Sequence, residues 1–578
     1  MDNLRSDILD ISKLNDGVYF IALTGVEEIG PNFYLYGVIA NDGQEREWLI
    51  VDCGIGFVRE QGLPGIEIVI PDIHAIVKGI VGRGDKISMY VTHAHEDHIG
   101  AIPYLWNELR CPIYTSKIAA AIIKHKFTDM KLMEDLNSCE IHEVAMNSTI
   151  KIGAFTLECV SITHSVPEMG AAILEVKDPV TKKVVRLCHT GDWKIDEDPQ
   201  EGERTNWKAL KAAGDKGMLA VIGDSTNIHL SGVSGSESTV KENLERVIAA
   251  RKKGLIIVTT FASNIARLSS ICKAASLAGR KVFLSGRSLA RMSLVAKEAG
   301  YLKEINEILP ITELNNYPKS QSLIICTGCQ GEERAAVFKI AAEQHPDITL
   351  SKGDLVIFSS KMIPGNEKKI GNLINELSIM DVDIVSEMDG YLHASGHPGQ
   401  DELLEMYSIL EPKYIIPVHG EQYHIRSHVQ FAEDHGYKAV RMRNGNVVQL
   451  THNSCTIIGS IYSSYFAVDG NFLLPMNSNI LRVRKELAYS GAVFISAIWN
   501  RKKANIEKVD ISAPGLLDFT EDADLFKEMH SAISKGLTIN NKTNEGALRK
   551  SIVSIIKKVL RSEVNKMPII YVHLLSSR

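Results

Sequence analysis

Residues 89–100 read Met-Tyr-Val-Thr-His-Ala-His-Glu-Asp-His-Ile-Gly, and the rest of the chain is best understood from this stretch. Four side chains of the kinds that bind metals lie within six positions: His93, His95, Asp97 and His98. Residues 86–92 are apolar and β-favouring, and they predict a buried strand. The apolar residues at 99, 102, 105, 106 and 109 have the spacing of one face of a helix. We therefore expect the four side chains at a strand-to-helix turn, on the loop edge of a sheet.

The chemistry of this cluster favours a metal site over a polar loop whose histidines cap a helix. Imidazole and carboxylate together favour borderline cations such as zinc or manganese. Four ligand-type side chains in six positions after an apolar strand are more than a helix cap requires. The cluster alone predicts a metal-dependent hydrolase and nothing about its substrate.

The composition is that of a globular protein with several domains. The chain has 578 residues, 45% hydrophobic and 23% charged, which predicts two to four domains. The first ten residues carry charges where a signal peptide needs an apolar run, and no stretch is apolar for long enough to span a bilayer. Nine scattered cysteines fit a reducing compartment. We expect a cytoplasmic protein with no membrane partner.

The formal net charge of −6 argues against a surface coated for nucleic acid. If the substrate is a polyanion, the positive field that attracts it must be local and partly supplied by metal.

Three apolar strands are predicted within residues 17–56, and the last two are joined by the hairpin signal Asn41-Asp-Gly43. The third strand ends at Asp52. A carboxylate at that position is well placed to orient a metal-bound histidine. Its alternative role is to form the turn at the end of the strand.

Two further strands end on residues that can bind metal. His164 follows the strands predicted at 150–163, and Asp192 ends the strand predicted at 184–192. Each alone is more often an ordinary loop histidine or turn aspartate. As a set with residues 93–98, they complete a site for two metals.

The middle of the chain predicts a parallel sheet with helices on its faces. Strands and helices alternate there: strands at 254–260, 281–285, 322–326 and 354–359, and helices at 238–251, 264–278, 288–299 and 331–343. A helix at 400–410 and an apolar strand ending at His419 follow. Because His419 repeats the pattern of a ligand after a strand, the α/β segment is interpreted as an insertion into the first domain.

The C-terminal part predicts a small separate domain. Residues 451–465 are rich in Ser, Asn and Gly and indicate a linker. Strands are expected near 478–484, 491–498 and 568–575, with an amphipathic helix through 546–562. Lys and Arg are frequent on that helix, which indicates a solvated face or, alternatively, a contact with a partner or RNA.

With these residues in place, the chain resembles the metallo-β-lactamase superfamily and, within it, the β-CASP nucleases of the bacterial ribonuclease J family. The motifs that carry the resemblance are His93-Ala-His-Glu-Asp-His98, His164, Asp192, Gly223-Asp-Ser-Thr226, Phe261-Ala-Ser-Asn264, His393-Ala-Ser-Gly-His397 and Pro417-Val-His-Gly420. The first motif is common to the whole superfamily, and its combination with the last two is far more specific. The resemblance covers essentially the whole chain and is weakest beyond about residue 465.

The resemblance implies an α/β fold: a metallo-β-lactamase αβ/βα four-layer sandwich with an inserted β-CASP α/β domain and a small C-terminal α/β domain. The boundaries expected from the sequence place the first domain at 1–221 and 366–450, the insertion at 222–365, the linker at 451–465 and the C-terminal domain at 466–578. The C-terminal domain is by resemblance a dimerisation element, so a homodimer or homotetramer is expected.

The resemblance also implies two divalent metal ions per chain, zinc first, with manganese or magnesium as alternatives. His93, His95 and His164 would hold one ion, and Asp97, His98 and His419 the other. Asp192 would bridge the two ions and take part in catalysis.

Other residues are implied to act on the substrate. Asp224 and His397 match motifs near the scissile phosphate, with His397 as the proton donor to the leaving oxygen. His393, Ser395, Gly396 and His397 match a loop that holds phosphate, and Ser234 and Ser236 lie in a stretch that assists it.

The implied activity is 5′-to-3′ exonucleolytic and endonucleolytic cleavage of RNA in RNA maturation and mRNA decay. A hydroxide activated by two metals would attack phosphorus and leave 5′-phosphate ends. RNA bearing a 5′-monophosphate is the expected partner.

Three other functions are alternatives to that of a ribonuclease. A hydrolase of a small ester or lactam would not need the insertion. A DNA-processing β-CASP nuclease is a closer rival, but such enzymes tend to lack the histidine found at His419. A non-catalytic RNA-binding subunit would be expected to have a degenerate ligand set, and the set here is complete.

The chain departs from the family pattern at two places. Glutamates occupy positions of the Thr24–Asn32 segment where glycine is usual, and Cys329 stands where serine is common. The resulting Cys326-Thr-Gly-Cys329 could be a redox pair or half a zinc site, but no second pair accompanies it, so two ordinary loop cysteines are favoured.

Overall fold

The computed structural model describes residues 8–40, 45–58, 63–305, 307–362, 366–539 and 544–577. The chain divides into two units, one of residues 1–57 and 70–465, and one of residues 58–69 and 466–578. No helix within the described ranges is both long enough and apolar enough to cross a membrane.

The first part of the larger unit alternates strands with short helices. Its strands are β1 (Gly17–Thr24), β2 (Phe33–Ala40), β3 (Glu45–Val51), β4 (Gly56–Phe57), β5 (Ile68–Pro71), β6 (Lys86–Tyr90), β7 (Ile113–Thr115), β8 (Ile141–Glu143), β9 (Ser148–Ile152), β10 (Phe155–Ser161), β11 (Gly170–Lys177), β12 (Val184–His189) and β13 (Ala220–Asp224). Its α-helices are α1 (His74–Gly79), α2 (Glu96–Ile99), α3 (Ile102–Leu109), α4 (Lys117–Asp129), α5 (Met133–Ser138) and α6 (Trp207–Asp215). The helix expected after residue 98 is thus divided into α2 and α3, but its apolar face is buried as expected. The Asn41–Gly43 turn lies outside the described residues, and the strands around it pair antiparallel from Ala40 and Glu45.

The inserted segment forms the expected parallel sheet. It comprises α7 (Glu237–Ala250), β14 (Ile256–Thr259), α8 (Ile265–Leu277), β15 (Lys281–Ser285), α9 (Arg287–Ala299), β16 (Ile308–Leu309), β17 (Ser322–Cys326), α10 (Ala336–Ala341), β18 (Leu355–Phe358), α11 (Glu367–Ile379) and β19 (Asp383–Val385). Its strand order is β16-β15-β17-β14-β18-β19, and every pairing is parallel.

Two expectations for the insertion need correction. The helix expected at 331–343 is only Ala336–Ala341, because Gly328 and Gly331 adopt positive φ values of 113° and 85° and turn the chain before it. The insertion was expected to end at residue 365, but β19 pairs with β18 and therefore continues the inserted sheet to Val385. The short strand β19 lacked a clear apolar signal because its residues are half-buried or exposed.

The chain then returns to the first two sheets. It forms α12 (Gln400–Leu410), β20 (Tyr414–Val418), α13 (Gln422–Asp434), β21 (Lys438–Ala439), β22 (Asn446–Leu450) and β23 (Cys455–Ser460). The prediction of a linker over 451–465 was wrong, because β23 pairs antiparallel with β22. The β-favouring residues Thr456, Ile457 and Ile458 form this strand, but the Ser, Asn and Gly residues on either side of them made the stretch resemble a linker.

The two sheets of this unit pack face to face. One has the order β23-β22-β1-β2-β3-β6-β7-β8 and the other β21-β20-β13-β12-β11-β10-β9. Phe20 and Tyr36 from the first sheet share a core with Leu157, Leu174 and Ile222 from the second. Each such side chain, when fully buried, stabilises the fold by about 1.5–3 kcal/mol. Helices α6 and α12 cover the outer face of the second sheet through a separate apolar cluster.

The second unit is a small α/β arrangement around a three-stranded sheet. It contains β24 (Tyr465–Asp469), β25 (Phe472–Pro475), α14 (Asn479–Ser490), β26 (Ala492–Asn500), β27 (Asn505–Ser512), α15 (Ala523–Gly536), α16 (Glu545–Glu563) and β28 (Ile569–Ser577). β26 lies between β27 and β28, and one face of this sheet packs against α15 and α16 through Ile495, Met529 and Ile552. The strand expected near 478–484 was wrong, because Ser478 caps α14 there by accepting the Leu481 N–H at 3.3 Å.

Candidate metal centre

The ligand-type residues meet where the carboxyl ends of several parallel strands converge. β3 and β6 are parallel neighbours in the first sheet, and β12, β13 and β20 are parallel neighbours in the second. Open α/β sheets bind ligands at this end of their strands. The segments that follow these strands carry Asp52, residues 93–98, Asp192 and His419, and Asp224 is the last residue of β13.

A first group consists of His93, His95, His164 and Asp192. The His95 Nδ1 atom lies 3.1 Å from His93 Nε2 and 3.1 Å from His164 Nε2. Donor atoms that surround one zinc ion at about 2.0–2.1 Å in a tetrahedron lie about 3.3 Å from one another. The three imidazoles therefore have the spacing of ligands that share one cation.

A second group consists of Asp97, His98, Asp192 and His419. The Asp97 Oδ2 atom lies 3.1 Å from His419 Nε2 and 3.7 Å from His98 Nε2. The Asp192 Oδ2 atom lies 3.2 Å from His98 Nε2, while Asp192 Oδ1 lies 3.3 Å from His419 Nδ1. Asp192 thus belongs to both groups.

Asp192 carries the strongest structural sign of a bound cation. Its carboxylate is buried, and among the described residues its Oδ1 atom has no hydrogen-bond partner, since the approach of His419 lacks hydrogen-bond geometry. A buried carboxylate oxygen left unpaired is costly and needs an explanation. A divalent cation between the two groups fits this oxygen and the imidazole and carboxylate donor set around it.

Asp52 orients the His98 ring through a contact with its Nδ1 atom. Asp52 has a positive φ of 65°, and its carboxylate accepts the Thr92 N–H at 2.8 Å and the Thr92 hydroxyl at 2.9 Å. Its Oδ2 atom lies 2.7 Å from His98 Nδ1. A carboxylate on one imidazole nitrogen sets the tautomer that offers the other nitrogen to a metal. The structure therefore places Asp52 where the sequence predicted an orienting carboxylate.

Close backbone packing holds the Asp97 turn against the segment after β3. The Cys53 N–H donates to the His98 carbonyl at 2.7 Å, and the Asn32 N–H donates to the Asp97 carbonyl at 2.9 Å. A Cβ atom at Gly54 would overlap the backbone of Asp97, so only glycine allows this approach.

Burial sets the charge of the first group of histidines. Removal from water lowers the pKa of His95 to about 4 and lowers the pKa values of His93 and His164 as well. These imidazoles are therefore neutral at neutral pH, which is the form that binds a cation.

In the second group, nearby carboxylates together have a larger effect on the histidine pKa values than burial has. Burial opposes protonation of His98 and His419, but nearby carboxylates, Asp192 foremost, outweigh it and raise the pKa of both imidazoles. Burial likewise opposes ionisation of Asp192, but His419 and His98 hold the pKa of its carboxyl well below the usual range. A cation at this group would take the place of the protons on the two imidazoles.

His397 and Asp224 form a pair beside the second group. His397 Nδ1 lies 2.7 Å from Asp224 Oδ2 and 3.9 Å from Asp192 Oδ2, and His419 Nδ1 lies 3.5 Å from Asp224 Oδ1. Burial opposes protonation of His397, but Asp224 outweighs it and raises the pKa of the imidazole. The structure therefore brings this predicted pair to the metal groups.

The loop at 393–397 is anchored to the same site. The Gly396 carbonyl lies 2.7 Å from His164 Nδ1, and a Cβ at Gly396 would come within 2.7 Å of the His164 ring. The Ser395 hydroxyl accepts a hydrogen bond from Asn227 Nδ2 at 2.7 Å. Among the described residues the buried His393 Nδ1 atom has no hydrogen-bond partner, and burial, with Arg267, lowers the pKa of this imidazole to about 3.

The two serines predicted to assist this loop do not present free hydroxyls to it. The Ser234 hydroxyl donates to Glu402 at 2.7 Å, and the Ser236 hydroxyl donates to Asp196 at 2.7 Å. Ser234 instead holds the loop through its carbonyl, which accepts the Ser395 N–H at 3.3 Å. A phosphate-binding role for the two serines stays a prediction, and in this structure both hydroxyls donate to buried carboxylates.

Four supporting residues had no sequence signal. Thr92 binds Asp52, Asn32 Nδ2 lies 3.0 Å from His98 Nε2, and Thr226 Oγ1 lies 2.9 Å from His419 Nδ1. Asn227 Nδ2 donates to the His397 carbonyl at 2.9 Å. Thr226 and Asn227 lie shortly after Asp224, separated from it by Ser225, so their position after the strand that ends at Asp224 could have suggested this role.

The two cysteines of the Cys326–Cys329 motif are both buried, and burial raises the pKa of each thiol to about 12. Such thiols are poor nucleophiles and poor metal ligands at neutral pH. This agrees with the interpretation of the pair as ordinary loop cysteines.

Comparison with protein families matches three segments of the chain. The ribonuclease J β-CASP domain matches residues 253–377, the RNA specificity domain of Zn-dependent metallo-hydrolases matches 381–442, and the ribonuclease J C-terminal domain matches 479–577. A solved structure described as a protein of unknown function from Enterococcus faecalis V583 aligns with 75% of this chain and 100% of its own, with a TM-score of 0.53 and 18% identity. That likeness concerns the fold alone.

Several curated proteins are similar over most of their length. Ribonuclease J of Sinorhizobium meliloti is 32% identical over 96% of this chain and 95% of its own. Ribonuclease J 1 of Streptococcus pyogenes is 33% identical over 97% and 98%, and ribonuclease J of Thermus thermophilus is 32% identical over 84% and 82%.

Fold and site together define a metallo-hydrolase with an inserted β-CASP domain. The two packed sheets carry the His and Asp groups, and the parallel sheet is inserted between β13 and β20. The chain belongs to the ribonuclease J family. It is accordingly a hydrolase, a ribonuclease that depends on divalent metal and acts on RNA.

Proposed function

We propose that the chain binds two zinc ions and cleaves RNA both as a 5′-to-3′ exonuclease and as an endonuclease, in RNA maturation and mRNA decay. Asp192 is the observation that carries the proposal, because its carboxylate is shared by both ligand groups and has a buried oxygen with no hydrogen-bond partner in the described part of the chain. In this assignment His93, His95 and His164 hold one ion, while Asp97, His98 and His419 hold the other. When bound, the two cations supply an activated water at neutral pH and neutralise charge on the phosphate.

His397 is the proposed proton donor to the leaving 3′-oxygen. Asp224 lies 2.7 Å from His397 Nδ1, which leaves Nε2 as the nitrogen that can act on substrate. An imidazole held in this way by a carboxylate is suited to general acid catalysis. Hydroxide derived from water forms a new bond to phosphorus, the P–O3′ bond breaks, and the leaving 3′-oxygen takes the proton of His397, so the phosphate remains on the 5′ end of the downstream fragment.

The loop at 393–397 is proposed to hold a phosphate of the RNA, and a 5′-monophosphate in preference to other ends. Support comes from the unpaired His393 Nδ1 atom, the Ser395 hydroxyl and the anchoring of the loop to His164. A buried pocket matched to a terminal phosphate would discriminate against a triphosphate by size and against a hydroxyl by charge.

We further propose that the enzyme is a homodimer or homotetramer. The hydrolase domain would comprise residues 1–221 together with the chain after the insertion, and residues 466–578 would form the C-terminal domain. The compact core beneath the sheet of β26, β27 and β28 supports an independent C-terminal domain. Light scattering coupled to size exclusion tests the oligomer directly, and a monomer at micromolar concentration would contradict it.

The experiment that tests the activity is time-resolved cleavage of one RNA that bears a 5′-monophosphate, a 5′-triphosphate or a 5′-hydroxyl, beside a DNA of the same sequence. We expect RNA to be cleaved, the monophosphorylated form fastest, and DNA to be spared. Equal rates on the three RNA ends would contradict the phosphate pocket, and preference for DNA would contradict the ribonuclease.

The two-metal assignment has its own test in the double variant Asp97→Ala with His98→Ala. We expect metal analysis to show the loss of one of two bound ions, together with loss of RNA cleavage. Undiminished cleavage by this variant would rule out a catalytic site with two metals.

A further inference from the structure

Three aromatic rings cluster at the surface beside the metal centre: His229, Tyr423 and His424. The ring of Tyr423 stacks on that of His229, with centroids 4.2 Å apart and planes inclined by 21°. The His424 ring lies 5.5 Å from His229 and 5.7 Å from Tyr423. Tyr423 is nevertheless 66% exposed, so much of its ring remains open to solvent.

The two stacked rings belong to the segments that carry the catalytic groups. His229 follows Asp224 on the loop after β13, and Tyr423 follows His419 at the start of α13. β13 and β20, which precede these segments, are paired in parallel up to Asp224 and Val418. The stacked pair therefore bridges the two neighbouring strand ends that form the second half of the site.

Short contacts hold the two segments that carry these rings close to the site. In the loop of His229, the Ile228 N–H donates to the Ser225 carbonyl at 3.1 Å and the Leu230 N–H to the Asn227 carbonyl at 2.8 Å. Asn227 in turn donates to the His397 carbonyl. Beneath α13, a Cβ at Gly420 would approach the Cβ atoms of His424 and Ser225 at 2.9 Å and 3.0 Å, so the helix start lies tightly against the loop.

An exposed tyrosine at the start of a helix is by itself unremarkable, since single apolar groups are common on protein surfaces. This one differs in having a second ring stacked beneath it and in its attachment to the loop that binds His397. Aromatic rings bind successive bases of single-stranded RNA by stacking, independently of sequence, because every base has a π-face. Such contacts need no positive charge, which suits a chain whose net charge is −6.

We propose that His229 and Tyr423 form a stacking platform for one base of single-stranded RNA near the scissile phosphate. The inference rests on the proposed function, because it takes RNA as the substrate of the adjoining site. Tyr423 contacts the base with its open face, and His229 supports the ring from the other side. The platform holds the substrate in place and takes no part in bond cleavage.

The test is the equilibrium Kd of the metal-loaded chain for a fluorescently labelled single-stranded RNA whose linkages resist hydrolysis, measured by anisotropy. Loss of one stacked base corresponds to about 1–3 kcal/mol, so Tyr423→Ala should weaken binding on the order of 10-fold. Tyr423→Phe should retain the affinity of the unaltered chain. Tyr489→Ala is the matched control, because Tyr489 is also 66% exposed but lies on α14 of the other unit.

Two further readouts separate stacking from other contacts. The slope of log Kd against log salt should be the same for Tyr423→Ala as for the unaltered chain, because stacking releases no counterions. Replacing single nucleotides of the RNA by abasic ones should weaken binding to the unaltered chain at one position, and that penalty should disappear in Tyr423→Ala.

The proposal is overturned if Tyr423→Ala binds as tightly as Tyr489→Ala, if the salt slope changes, or if Phe fails to restore the affinity. In the last case the phenol would act through a hydrogen bond. Failure of the proposed function looks different: the metal-loaded chain would bind RNA but cleave none of it. The platform is therefore judged from binding alone and the activity from cleavage alone.

Discussion

At the scale of single residues, the properties of the site depend on which nitrogen and oxygen atoms are hydrogen-bonded to neighbouring residues. His98 has Nδ1 held by Asp52, and His164 has Nδ1 held by the Gly396 carbonyl, so the Nε2 atom of each faces the other ligand-type groups. Asp192 keeps an oxygen with no hydrogen-bond partner among the described residues. A buried carboxylate oxygen left unsatisfied beside these imidazoles favours a metal centre over a buried polar network, in which every group is satisfied.

Asp52→Asn tests whether the hydrogen bond between Asp52 and His98 strengthens metal binding. The amide keeps the shape of the side chain but loses the charge that favours the correct His98 tautomer, so metal affinity should fall by about 10–100-fold. Titration with a competing chelator measures this affinity. Asp510→Asn, at an exposed position of β27, should leave it unchanged. Equal metal affinity in the two variants would assign Asp52 to the turn alone.

His397→Gln tests the proton donor. Because glutamine cannot give up a proton to the leaving oxygen, kcat should fall by about 10²–10⁴-fold while the bound metal content stays constant. Substrates with a more acidic leaving group should be much less affected, since they need no protonation. His435→Gln, at an exposed position after α13, serves as control. A variant that loses metal along with activity would place His397 among the ligands.

At the scale of elements, helix α8 of the insertion contacts the backbone immediately before residues 393–397. Arg267 is fully buried on α8 and forms an ion pair with Glu237 at 2.9 Å. Its other nitrogen donates to the Leu392 carbonyl at 3.0 Å and to the Ser359 carbonyl at 2.7 Å. Leu392 immediately precedes His393, so this guanidinium is one of the groups that position the start of the loop, together with the Ser359 hydroxyl, which also donates to the Leu392 carbonyl at 2.9 Å.

Removing Arg267 should therefore destabilise the fold and disturb the loop together. Arg267→Met leaves Glu237 buried without its partner, which costs about 3–5 kcal/mol. Adding Glu237→Gln should recover part of that stability, because it removes the unpaired charge. Arg482→Met, which breaks an exposed pair with Glu486 on α14, should cost less than about 1 kcal/mol.

Denaturant unfolding of these variants gives the free energies, and KM for RNA reports on the loop. We expect KM to remain raised in the double variant, because methionine at position 267 lacks the donor that Arg267 offers to the Leu392 carbonyl. A double variant with normal KM would show that the loop keeps its position without Arg267.

At the scale of the whole molecule, the metal centre joins parts of the chain that are far apart in sequence. Its ligands come from both packed sheets, and the insertion separates the ligand-bearing strands β13 and β20, which nevertheless pair. A cation held by groups from both sheets binds the folded state only, so it should stabilise the entire larger unit.

Metal removal should therefore lower stability as well as activity. At a free metal concentration of 100 times Kd, binding adds about 2.7 kcal/mol to the free energy of unfolding. Chelation followed by dialysis should abolish RNA cleavage and lower the temperature of the first calorimetric transition, and both should return when zinc is restored. Manganese and magnesium restored separately show which ions support cleavage. Unchanged thermal unfolding after complete metal removal would contradict a structural link between the sheets.

Most of the fold was predictable because the local patterns are strong. Apolar strands that end near Asp or His predicted β6, β12 and β20, and the alternation of strands and helices predicted the inserted parallel sheet. Predictions failed where a short segment has a mixed composition. The apolar core of β23 is flanked by Ser, Asn and Gly and resembled a linker, and the alternating Ile480-Leu-Arg-Val-Arg484 at the start of α14 was mistaken for a strand.

The sequence by itself determined the ligand types, their strand-end positions and the cluster at residues 93–98, because these depend on neighbours along the chain. Only the tertiary structure decided which ligands meet, since the pairing of β13 with β20 brings Asp224 and His419 within 3.5 Å. It also decided that Ser234 and Ser236 give their hydroxyls to carboxylates, and that Tyr423 stacks on His229. The physical reason is that hydrogen bonds and ring contacts between distant segments depend on strand register and loop geometry, which no local pattern of residues encodes.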